Sequence, residues 1–367
     1  LRGTPYSVSL TITPADPMLG PATYSWSFTT EGTAEEDSCE WAGDGRCDEP
    51  VNCALGTDTT DCVHACEQGI TPHLLGAACA HRETPVDPPV EPARGSGGEL
   101  HLTGHRMGTI QVADGTDLSA KVDRHYQVYA PPNLDPTRPI PLVIMLPGNR
   151  VDIYGLAAYT QLQPTAEANG FVLVYAEQQW RWDKLMWSWF TDWDWSNKAA
   201  SNPDLAFLEA LVAKMKSEYN IDRTRIYAVG HSRGASMALI AAFELDHLFA
   251  GAAIQSGFTE FNYHKRMQPW PGRKMPLFFV HGVLDDDVCI DCSPTQNTCA
   301  VKPSKPCSSG LLAADALVAL LQGEGWDDVR LIYHRLQNVT HRWQPWLNQA
   351  MWDFLSSHPM PLEEVAP

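Results

Sequence analysis

The sequence has few basic residues and no long apolar run. Its 367 residues include 26 Lys and Arg against 44 Asp and Glu, which gives a formal net charge of −18. Nucleic-acid binding needs clustered Lys and Arg around the phosphates, so we expect no nucleic-acid partner. No apolar stretch approaches the roughly 18 residues that cross a bilayer, so we predict no membrane span.

Cysteine is absent between Cys79 and Cys289, and the ten cysteines fall in two groups. Six lie in an Asp- and Gly-rich segment and four in a later insertion: Cys39, Cys47, Cys53, Cys62, Cys66 and Cys79, then Cys289, Cys292, Cys299 and Cys307. Even numbers of Cys in short, loop-rich segments are typical of disulfide frameworks. Zinc is the alternative, because Cys289 and Cys292 have ligand spacing, but no His joins the group. We expect disulfides, and therefore a secreted protein in an extracellular or periplasmic compartment.

The beginning of the sequence also lacks the basic and then apolar residues of a secretion leader. We therefore expect the chain to be a fragment of a longer protein, with any targeting segment upstream of Leu1. Residues 1–30 contain two alternating stretches, SVSLTIT and TYSWSFTT, which predict the last strands of a β-sandwich. They resemble the end of bacterial immunoglobulin-like repeats.

A cysteine-rich module and a linker are predicted next, over residues 31–83 and 84–98. The linker is rich in Pro and Gly. Four aspartates of the module could supply oxygen ligands to a structural calcium ion: Asp44, Asp48, Asp58 and Asp61. The alternative is that Asp and Gly simply form turns.

From residue 99 to residue 360 the sequence alternates strands and helices. The predicted strands are Tyr126–Ala130, Pro141–Leu146, Phe171–Tyr175, Arg225–Val229, Gly251–Gln255, Leu277–Val280 and Val329–Tyr333. The predicted helices are Ala157–Asn169, one beginning at Asn202-Pro203, Ser232–Leu245, Gly310–Gln322 and Gln344–Ser357. This alternation implies one α/β domain, with a mostly parallel sheet covered on both faces, followed by a tail at 361–367.

The segment RIYAVGHSRGASMALIAAFEL carries the strongest functional signal. A short apolar strand is followed by Gly230-His231-Ser232-Arg233-Gly234 and at once by a helix rich in Ala and Leu. Gly-x-Ser-x-Gly between a strand and a helix is the nucleophile elbow of α/β-hydrolases. The pattern predicts Ser232 as a nucleophile.

A nucleophilic serine of this fold needs an acid and a histidine, each in a loop after a later strand. Asp285, Asp286 and Asp287 follow the apolar strand PLFFVHG, and their adjacency leaves the acid open. His341 lies in a loop just before the last helix, whereas His281 and His334 lie at strand ends. We therefore predict His341 as the general base.

Acyl transfer also needs backbone N–H groups that bind the developing oxyanion. The residue after the nucleophile, Arg233, is predicted to supply one. The loop after an early strand is predicted to supply the other through Asn149, next to the flexible Gly148.

Eight segments over about residues 120–357 resemble the family of polyhydroxybutyrate depolymerases and feruloyl esterases: LVIMLPGN, GFVLVYAEQ, MWSWF, NPDLAFLEALV, RIYAVGHSRGASMA, FAGAAIQSG, HGVLDDDV and THRW. The family pattern His-Gly-x-x-Asp-x-x-Val selects Asp285 as the acid, and its histidine, just before a Trp, corresponds to His341. The sequence departs from the family at Pro147, where a His is usual, and at Arg233, where a small residue is usual.

The resemblance implies a secreted serine esterase of α/β-hydrolase fold that needs no cofactor for catalysis and is a monomer. Its substrates would be feruloyl or acetyl esters of the plant cell wall, or an aliphatic polyester. A lipase or peptidase of the same fold is an alternative. A non-catalytic surface adhesion protein is another, which the presence of Ser232, Asp285 and His341 disfavours.

Tryptophans are concentrated after the third predicted strand, in QQWRWDKLMWSWFTDWDW. Loops that follow parallel strands gather at the carboxyl edge of the sheet, beside the nucleophile. We predict substrate contacts for Trp187 and Trp189, and for Trp343 beside His341, because aromatic rings stack on phenolic groups and sugars. The alternative is that these rings pack a lid.

Overall fold

The computed structural model describes residues 5–12, 22–29, 94–99, 102–113, 121–183, 188–194, 202–259, 263–292, 298–299, 301–302, 304 and 312–364. The chain divides into two compact units, Leu1–Pro89 and Val90–Pro367. In the first unit, β1 (Pro5–Ile12) and β2 (Ala22–Thr29) pair as an antiparallel hairpin, at the two stretches whose alternation predicts strands. The cysteine-rich module, with Asp44, Asp48, Asp58 and Asp61, lies outside the described residues.

An eight-stranded sheet forms the centre of the second unit. In chain order the strands of this unit are β3 (Gly104–Ala113), β4 (Lys121–Ala130), β5 (Ile140–Leu146), β6 (Val172–Ala176), β7 (Gln179–Asp183), β8 (Ser188–Asp192), β9 (Ile221–His231), β10 (Gly251–Gln255), β11 (Leu277–Gly282) and β12 (Leu331–Leu336). The spatial order is β12-β11-β10-β9-β5-β6-β4-β3, while β7 and β8 form a separate hairpin. β4 runs antiparallel to both of its neighbours, β3 and β6, and all other adjacent pairs of this sheet are parallel. This order and the single reversed strand are those of the α/β-hydrolase fold, as predicted.

Helices cover both faces of the sheet. They are α1 (Ile153–Thr160), α2 (Leu162–Asn169), α3 (Pro203–Glu218), α4 (Arg233–Glu244), α5 (Ala314–Gly323) and α6 (Asn348–Ser356). The first core layer joins α3, α4 and α5 to one face, and the second joins α1, α2 and α6 to the other. Along β5, Ile144 packs into the first layer and Val143 and Met145 into the second, because successive side chains of a strand point to opposite faces.

No helix in the described part of the chain combines the length and the apolar character that crossing a membrane requires. The longest of those given above, α3, has 16 residues and carries charged side chains along its length.

The sequence predicts one helix over Ala157–Asn169, whereas the structure has two. Gln161 adopts a left-handed conformation, with φ of 52°, and separates α1 from α2. Pro164 has no N–H to donate to the carbonyl of Thr160. That oxygen instead accepts hydrogen bonds from Trp343 Nε1 (2.9 Å) and Asn348 Nδ2 (2.8 Å). The break therefore joins α1 to the segment that follows His341.

The sequence does not predict the edge strand β3. Its residues alternate between exposed and half-buried along most of its length, and it pairs with β4 alone. A strand with one neighbour and one wet face contains few of the apolar residues that predict a strand. The last strand is predicted at Val329–Tyr333 but runs from Leu331 to Leu336, because the backbone N–H of Leu331 still bonds to Asp327 in the preceding turn.

The end of the predicted linker, residues 95–98, belongs to the second unit and pairs with its residues 219–222. Gly95 forms an antiparallel bridge with Asp222, and the N–H of Ser96 donates to the carbonyl of Ile221 (2.9 Å). The Ser96 hydroxyl also donates to the carbonyl of Tyr219 (2.8 Å). These bonds place the last residues of the linker against the beginning of β9.

Candidate active site

Ser232 lies in the turn between β9 and α4. Its φ of 56° and ψ of −122° fall in a region that non-glycine residues rarely adopt. The turn is tight enough that a Cβ at Gly230 would lie 2.2 Å from the carbonyl oxygen of Gly234, and one at Gly234 would lie 2.1 Å from that of Leu146. The Ser232 N–H donates to the carbonyl of Gln255 (2.9 Å), at the end of β10. The two glycines thus allow the turn that raises Ser232 above the sheet.

A continuous hydrogen-bonded chain connects Ser232, His341 and Asp285. His341 Nε2 is 2.8 Å from Ser232 Oγ, and His341 Nδ1 is 2.8 Å from Asp285 Oδ2. The His341 side chain is 15% exposed, whereas the Asp285 side chain is fully buried. The structure thus brings together the three residues that the sequence predicts. In this arrangement the imidazole can take the hydroxyl proton while the carboxylate holds its other nitrogen.

Burial distinguishes the three adjacent aspartates. Asp286 is half-exposed and pairs with Lys302 Nζ (2.9 Å), and Asp287 is exposed. Asp285 Oδ1 accepts hydrogen bonds from the backbone N–H groups of Asp287 (3.1 Å) and Val288 (2.8 Å). The carboxylate of Asp285 is therefore fixed on both oxygens, and it alone of the three faces His341.

The surroundings of Asp285 keep its carboxyl group ionised. Burial by itself would raise the pKa of Asp285, but the hydrogen bond and charge of His341, the charge of His281 and the N–H of Val288 together hold it below its usual value. His281 is fully buried, and its Nε2 lies 2.9 Å from the carbonyl oxygen of Val288 and 3.4 Å from Asp285 Oδ2. Burial lowers the pKa of His281, and its Nε2–H donates to the carbonyl of Val288.

His231 is a further buried group that sequence reasoning missed. Its ring lies among those of Tyr159, His341 and Trp343, with centroid distances of 5.5, 5.0 and 6.4 Å. Burial, and next the charge of His341, lower the pKa of His231 to about 3. The His231 side chain is therefore uncharged at neutral pH and packs against the ring of His341. Its place directly before the nucleophile is the one signal that could have singled it out.

The loops that carry the three residues are bonded to one another. In the acid loop, the N–H of Leu284 donates to the carbonyl of Val339 (2.9 Å), two residues before His341. In the histidine loop, the N–H of Gln344 donates to Gln255 Oε1 (2.9 Å). Because the backbone of Gln255 also binds Ser232, one residue of β10 connects the nucleophile to the histidine loop.

The predicted oxyanion donors flank Ser232. A Cβ at Gly148 would lie 3.2 Å from Ser232 Cβ, so the loop of Gly148 and Asn149 runs directly against the nucleophile. Arg233 is the first residue of α4, where backbone N–H groups have no acceptor within the helix. Both positions can present an N–H to the oxygen of a carbonyl group that Ser232 attacks.

The predicted substrate tryptophans have different surroundings. Trp187 lies outside the described residues, and Trp189 lies in β8 opposite Trp182. Trp343 is 3% exposed, and its Nε1 donates to Thr160 O and to Asn348 Oδ1 (3.1 Å). The Trp343 ring packs in the interior beneath the histidine loop. A contact between this ring and substrate would therefore require the loop to open.

An exposed tryptophan that the sequence analysis missed lies nearby. Trp346, in the turn of 3₁₀ helix Pro345–Leu347, is 66% exposed. Its Nε1 donates to Gln344 Oε1 (3.1 Å), and Gln344 is the residue bound to Gln255. The indole is thus held at a fixed place beside the histidine loop while its faces remain in solvent.

The cysteine insertion begins directly after the acid loop. Cys289 and Cys299 form a disulfide with 5.3 Å between their Cα atoms, and Cys292 is also disulfide-bonded. The prediction of a disulfide rather than zinc is confirmed for Cys289 and Cys299. Among the described residues, no group of three or more His, Cys, Asp or Glu side chains could hold a metal ion.

Part of the chain is similar to known esterases. Residues 124–269 match the family model described as esterase PHB depolymerase. The matched range includes Ser232 and ends before Asp285 and His341. The chain is 31% identical over 163 residues to the bifunctional acetylxylan esterase/xylanase XynS20E of Neocallimastix patriciarum, covering 44% of this chain and 22% of that protein. It is 28% identical over 155 residues to acetylxylan esterase A of Talaromyces purpureogenus, covering 41% of this chain and 37% of that protein.

A solved structure of acetyl xylan esterase from Aspergillus awamori is similar with a TM-score of 0.48 and 15% identity, over 68% of this chain and 99% of that one. The fold assignment depends on the strand order and connections given above. The matched region spans only part of each acetylxylan esterase, 22% and 37% of their lengths. Over residues 124–269 this chain is similar to the esterase PHB depolymerase family.

Proposed function

We propose that the chain is a serine carboxylic ester hydrolase that works through Ser232, His341 and Asp285. The observation that carries the proposal is the pair of 2.8 Å contacts that His341 makes with Ser232 Oγ and Asp285 Oδ2. A serine in a strained turn, a histidine and a buried ionised acid are the components of acyl transfer. The family match and the esterases among the relatives support the same reaction.

In the first step, His341 Nε2 takes the Ser232 proton as Oγ attacks the ester carbonyl carbon. The C=O π bond opens, and its electron pair becomes the oxyanion of a tetrahedral intermediate. The backbone N–H groups of Arg233 and Asn149 donate to this oxyanion. Asp285 accepts the Nδ1 proton in a hydrogen bond and stabilises the positive imidazolium.

In the second step, the carbonyl reforms and the bond to the alkoxy oxygen breaks. His341 gives its proton to that oxygen, so the alcohol leaves and the acyl group stays on Ser232. Water then repeats the sequence: His341 takes a water proton, the hydroxyl adds to the acyl carbon, and Ser232 Oγ departs with the proton returned by His341. The chain's own side chains perform each proton transfer.

For the substrate, we propose acetyl or feruloyl esters of plant cell-wall polysaccharide. The names of the acetylxylan esterases matched by the chain support this class. The family description favours an aliphatic polyester as the second candidate. The disulfide Cys289–Cys299 supports an oxidising, extracellular location.

The test compares the parent chain with Ser232→Ala on p-nitrophenyl acetate, methyl ferulate, acetylated xylan and polyhydroxybutyrate. The variant is expected to lose activity by at least about a thousandfold, because removing a triad member leaves only binding and the oxyanion site. Ser236→Ala, one turn further along α4 at another buried serine, is the matched control and keeps activity.

The ratio of rates among the four substrates decides between polysaccharide and polyester. Activity that survives in Ser232→Ala would overturn the nucleophile assignment. A folded parent chain inert towards all four esters would overturn the esterase proposal and favour a binding protein. Preferential cleavage of long-chain triglycerides or of peptide anilides would favour the lipase or the peptidase instead.

A further inference from the structure

Two consecutive residues at the end of β8 contact both segments that carry the predicted oxyanion donors. Asp192 Oδ2 lies 3.0 Å from Arg233 Nη1, on the residue that follows the nucleophile. Trp193 Nε1 donates to the carbonyl of Pro147 (2.9 Å), two residues before Asn149. The Asp192–Trp193 pair therefore spans the gap between the nucleophile elbow and the loop after β5.

These contacts are buried and reinforced. Asp192 and Trp193 are each 1% exposed, and the Trp193 N–H donates to Asp192 Oδ1 (3.0 Å), which orients the carboxylate towards Arg233. The Pro147 carbonyl accepts a second hydrogen bond from Gln178 Nε2 (3.0 Å), another buried side chain. The two hydrogen bonds to the Pro147 carbonyl lie among buried side chains, where they resist displacement more than the same bonds in water, whereas the Arg233 side chain of the ion pair is 32% exposed.

The pair is itself anchored to the beginning of α3. The N–H of Asp194 donates to Asp204 Oδ2, and Asn202 Nδ2 donates to the carbonyl of Asp194 (2.6 Å). Asp204 in turn forms a buried ion pair with Arg124 (2.6 Å), whose guanidinium lies 6.0 Å from the centroid of the Trp193 ring. The segment 192–194 is thus fixed to the sheet and to α3, independently of the elbow.

We propose that Asp192 and Trp193 are positioning residues that hold the two oxyanion-binding N–H groups at their working separation. The inference rests on the proposed esterase function. Neither residue needs to touch substrate. An oxyanion donor works only within about 2.7–3.1 Å of the developing charge, so a small shift of Pro147 or Arg233 weakens it. Since that charge exists only in the transition state, the loss falls on kcat and leaves KM nearly unchanged.

The test uses substitutions that remove one contact each. Asp192→Asn keeps the shape and removes the charge, Trp193→Phe removes the indole N–H, and Arg233→Met removes the guanidinium but keeps the backbone N–H. Each is expected to lower kcat on p-nitrophenyl acetate about 10- to 100-fold with KM within about threefold, since one lost oxyanion donor costs about 10²- to 10³-fold. The Asp192→Asn/Arg233→Met double variant should lose no more than the worse single variant.

A second ion pair supplies a matched control. Arg225 and Asp222 lie 2.6 Å apart at the beginning of β9, with side chains 30% and 1% exposed, against 32% and 2% for Arg233 and Asp192. Asp222→Asn and Arg225→Met remove the same kind of contact near the first residue of β9, whereas Ser232 follows the last residue of this strand. Their kcat should stay within about twofold of the parent value, because they lie outside the site.

A second readout isolates the oxyanion. A trifluoromethyl ketone forms a tetrahedral adduct with the serine, and its inhibition constant should rise in each of the three variants in proportion to the loss in kcat. The inhibition constant of the acid product should not change. A proportional rise in KM instead, or unchanged kcat with Arg233→Met, would overturn the inference while leaving the esterase proposal intact. A parent chain that does not hydrolyse esters would overturn the proposed function itself.

Discussion

His231 makes the stability of the protein depend on pH in a direction that can be calculated. The ring is 5% exposed, and among the described residues its Nε2 has no hydrogen-bond partner. Burial and the charge of His341 lower its pKa from 6.5 to about 3. The unfolded chain therefore binds a proton at this position more readily than the folded protein does. The His231 site therefore does not lower the free energy of unfolding above pH 6.5. It lowers the free energy of unfolding progressively as the pH falls from 6.5 towards 3.

The size of the effect follows from the same two values. A shift of one pKa unit corresponds to about 1.36 kcal/mol, so the full difference amounts to at most about 5 kcal/mol at strongly acid pH. Between pH 7.5 and pH 5.0 the unfolded His231 gains most of its proton and the folded one gains almost none. We expect this site alone to lower the free energy of unfolding by about 2 kcal/mol over that range.

The assay is urea unfolding of the parent chain and of His231→Phe at several pH values, followed by tryptophan fluorescence. Phenylalanine keeps an aromatic ring against Tyr159 and Trp343 but binds no proton. The fall in the free energy of unfolding between pH 7.5 and pH 5.0 should be about 2 kcal/mol smaller in the variant. Tyr159→Phe disturbs the same cluster without removing a group that titrates there, and should keep the parent dependence. Equal pH dependence in parent and His231→Phe would refute the reasoning.

Two further predictions concern stability and substrate. Arg124→Met removes the guanidinium paired with the buried Asp204 carboxylate and should lower the free energy of unfolding by about 3–5 kcal/mol in urea titration; a loss below about 1 kcal/mol would contradict the role of the pair. Trp346→Ala should lower kcat/KM on acetylated xylan about fivefold and leave p-nitrophenyl acetate hydrolysis unchanged, because covering about 40 Å² of the exposed indole with a sugar ring contributes about 1 kcal/mol. Equal losses on both substrates would point to a disturbed histidine loop instead.

The parts of the site that local chemistry dictates were predictable from the sequence. A Gly-x-Ser-x-Gly segment between a strand and a helix is typical of the nucleophile elbow, and the order of acid and histidine follows from the fold. The choice among the three aspartates depended on a resemblance, because spacing alone left them equal. In the structure the reason is burial: Asp285 turns inward to two backbone N–H groups and His341, while Asp286 meets Lys302 in solvent.

Features that arise from contacts between distant segments were not predictable. The burial of His231 depends on Tyr159 and Trp343, which come from separate parts of the chain. The break at Gln161 depends on side chains of Trp343 and Asn348 that capture the carbonyl of Thr160. The aromatic segment was predicted as a loop, yet part of it forms the hairpin of β7 and β8.

The disulfide Cys289–Cys299 has a consequence for engineering. It joins the two ends of residues 290–298 within the insertion, and the backbone N–H groups that bind Asp285 Oδ1 come from Asp287 and Val288, directly before Cys289. A segment whose ends are joined so closely can be exchanged without changing the path of the chain on either side. The segment between Cys289 and Cys299 is therefore a place to attach a carbohydrate-binding or polymer-binding peptide a few residues from the acid, provided that the buried Ile290 and the disulfide-bonded Cys292 are kept.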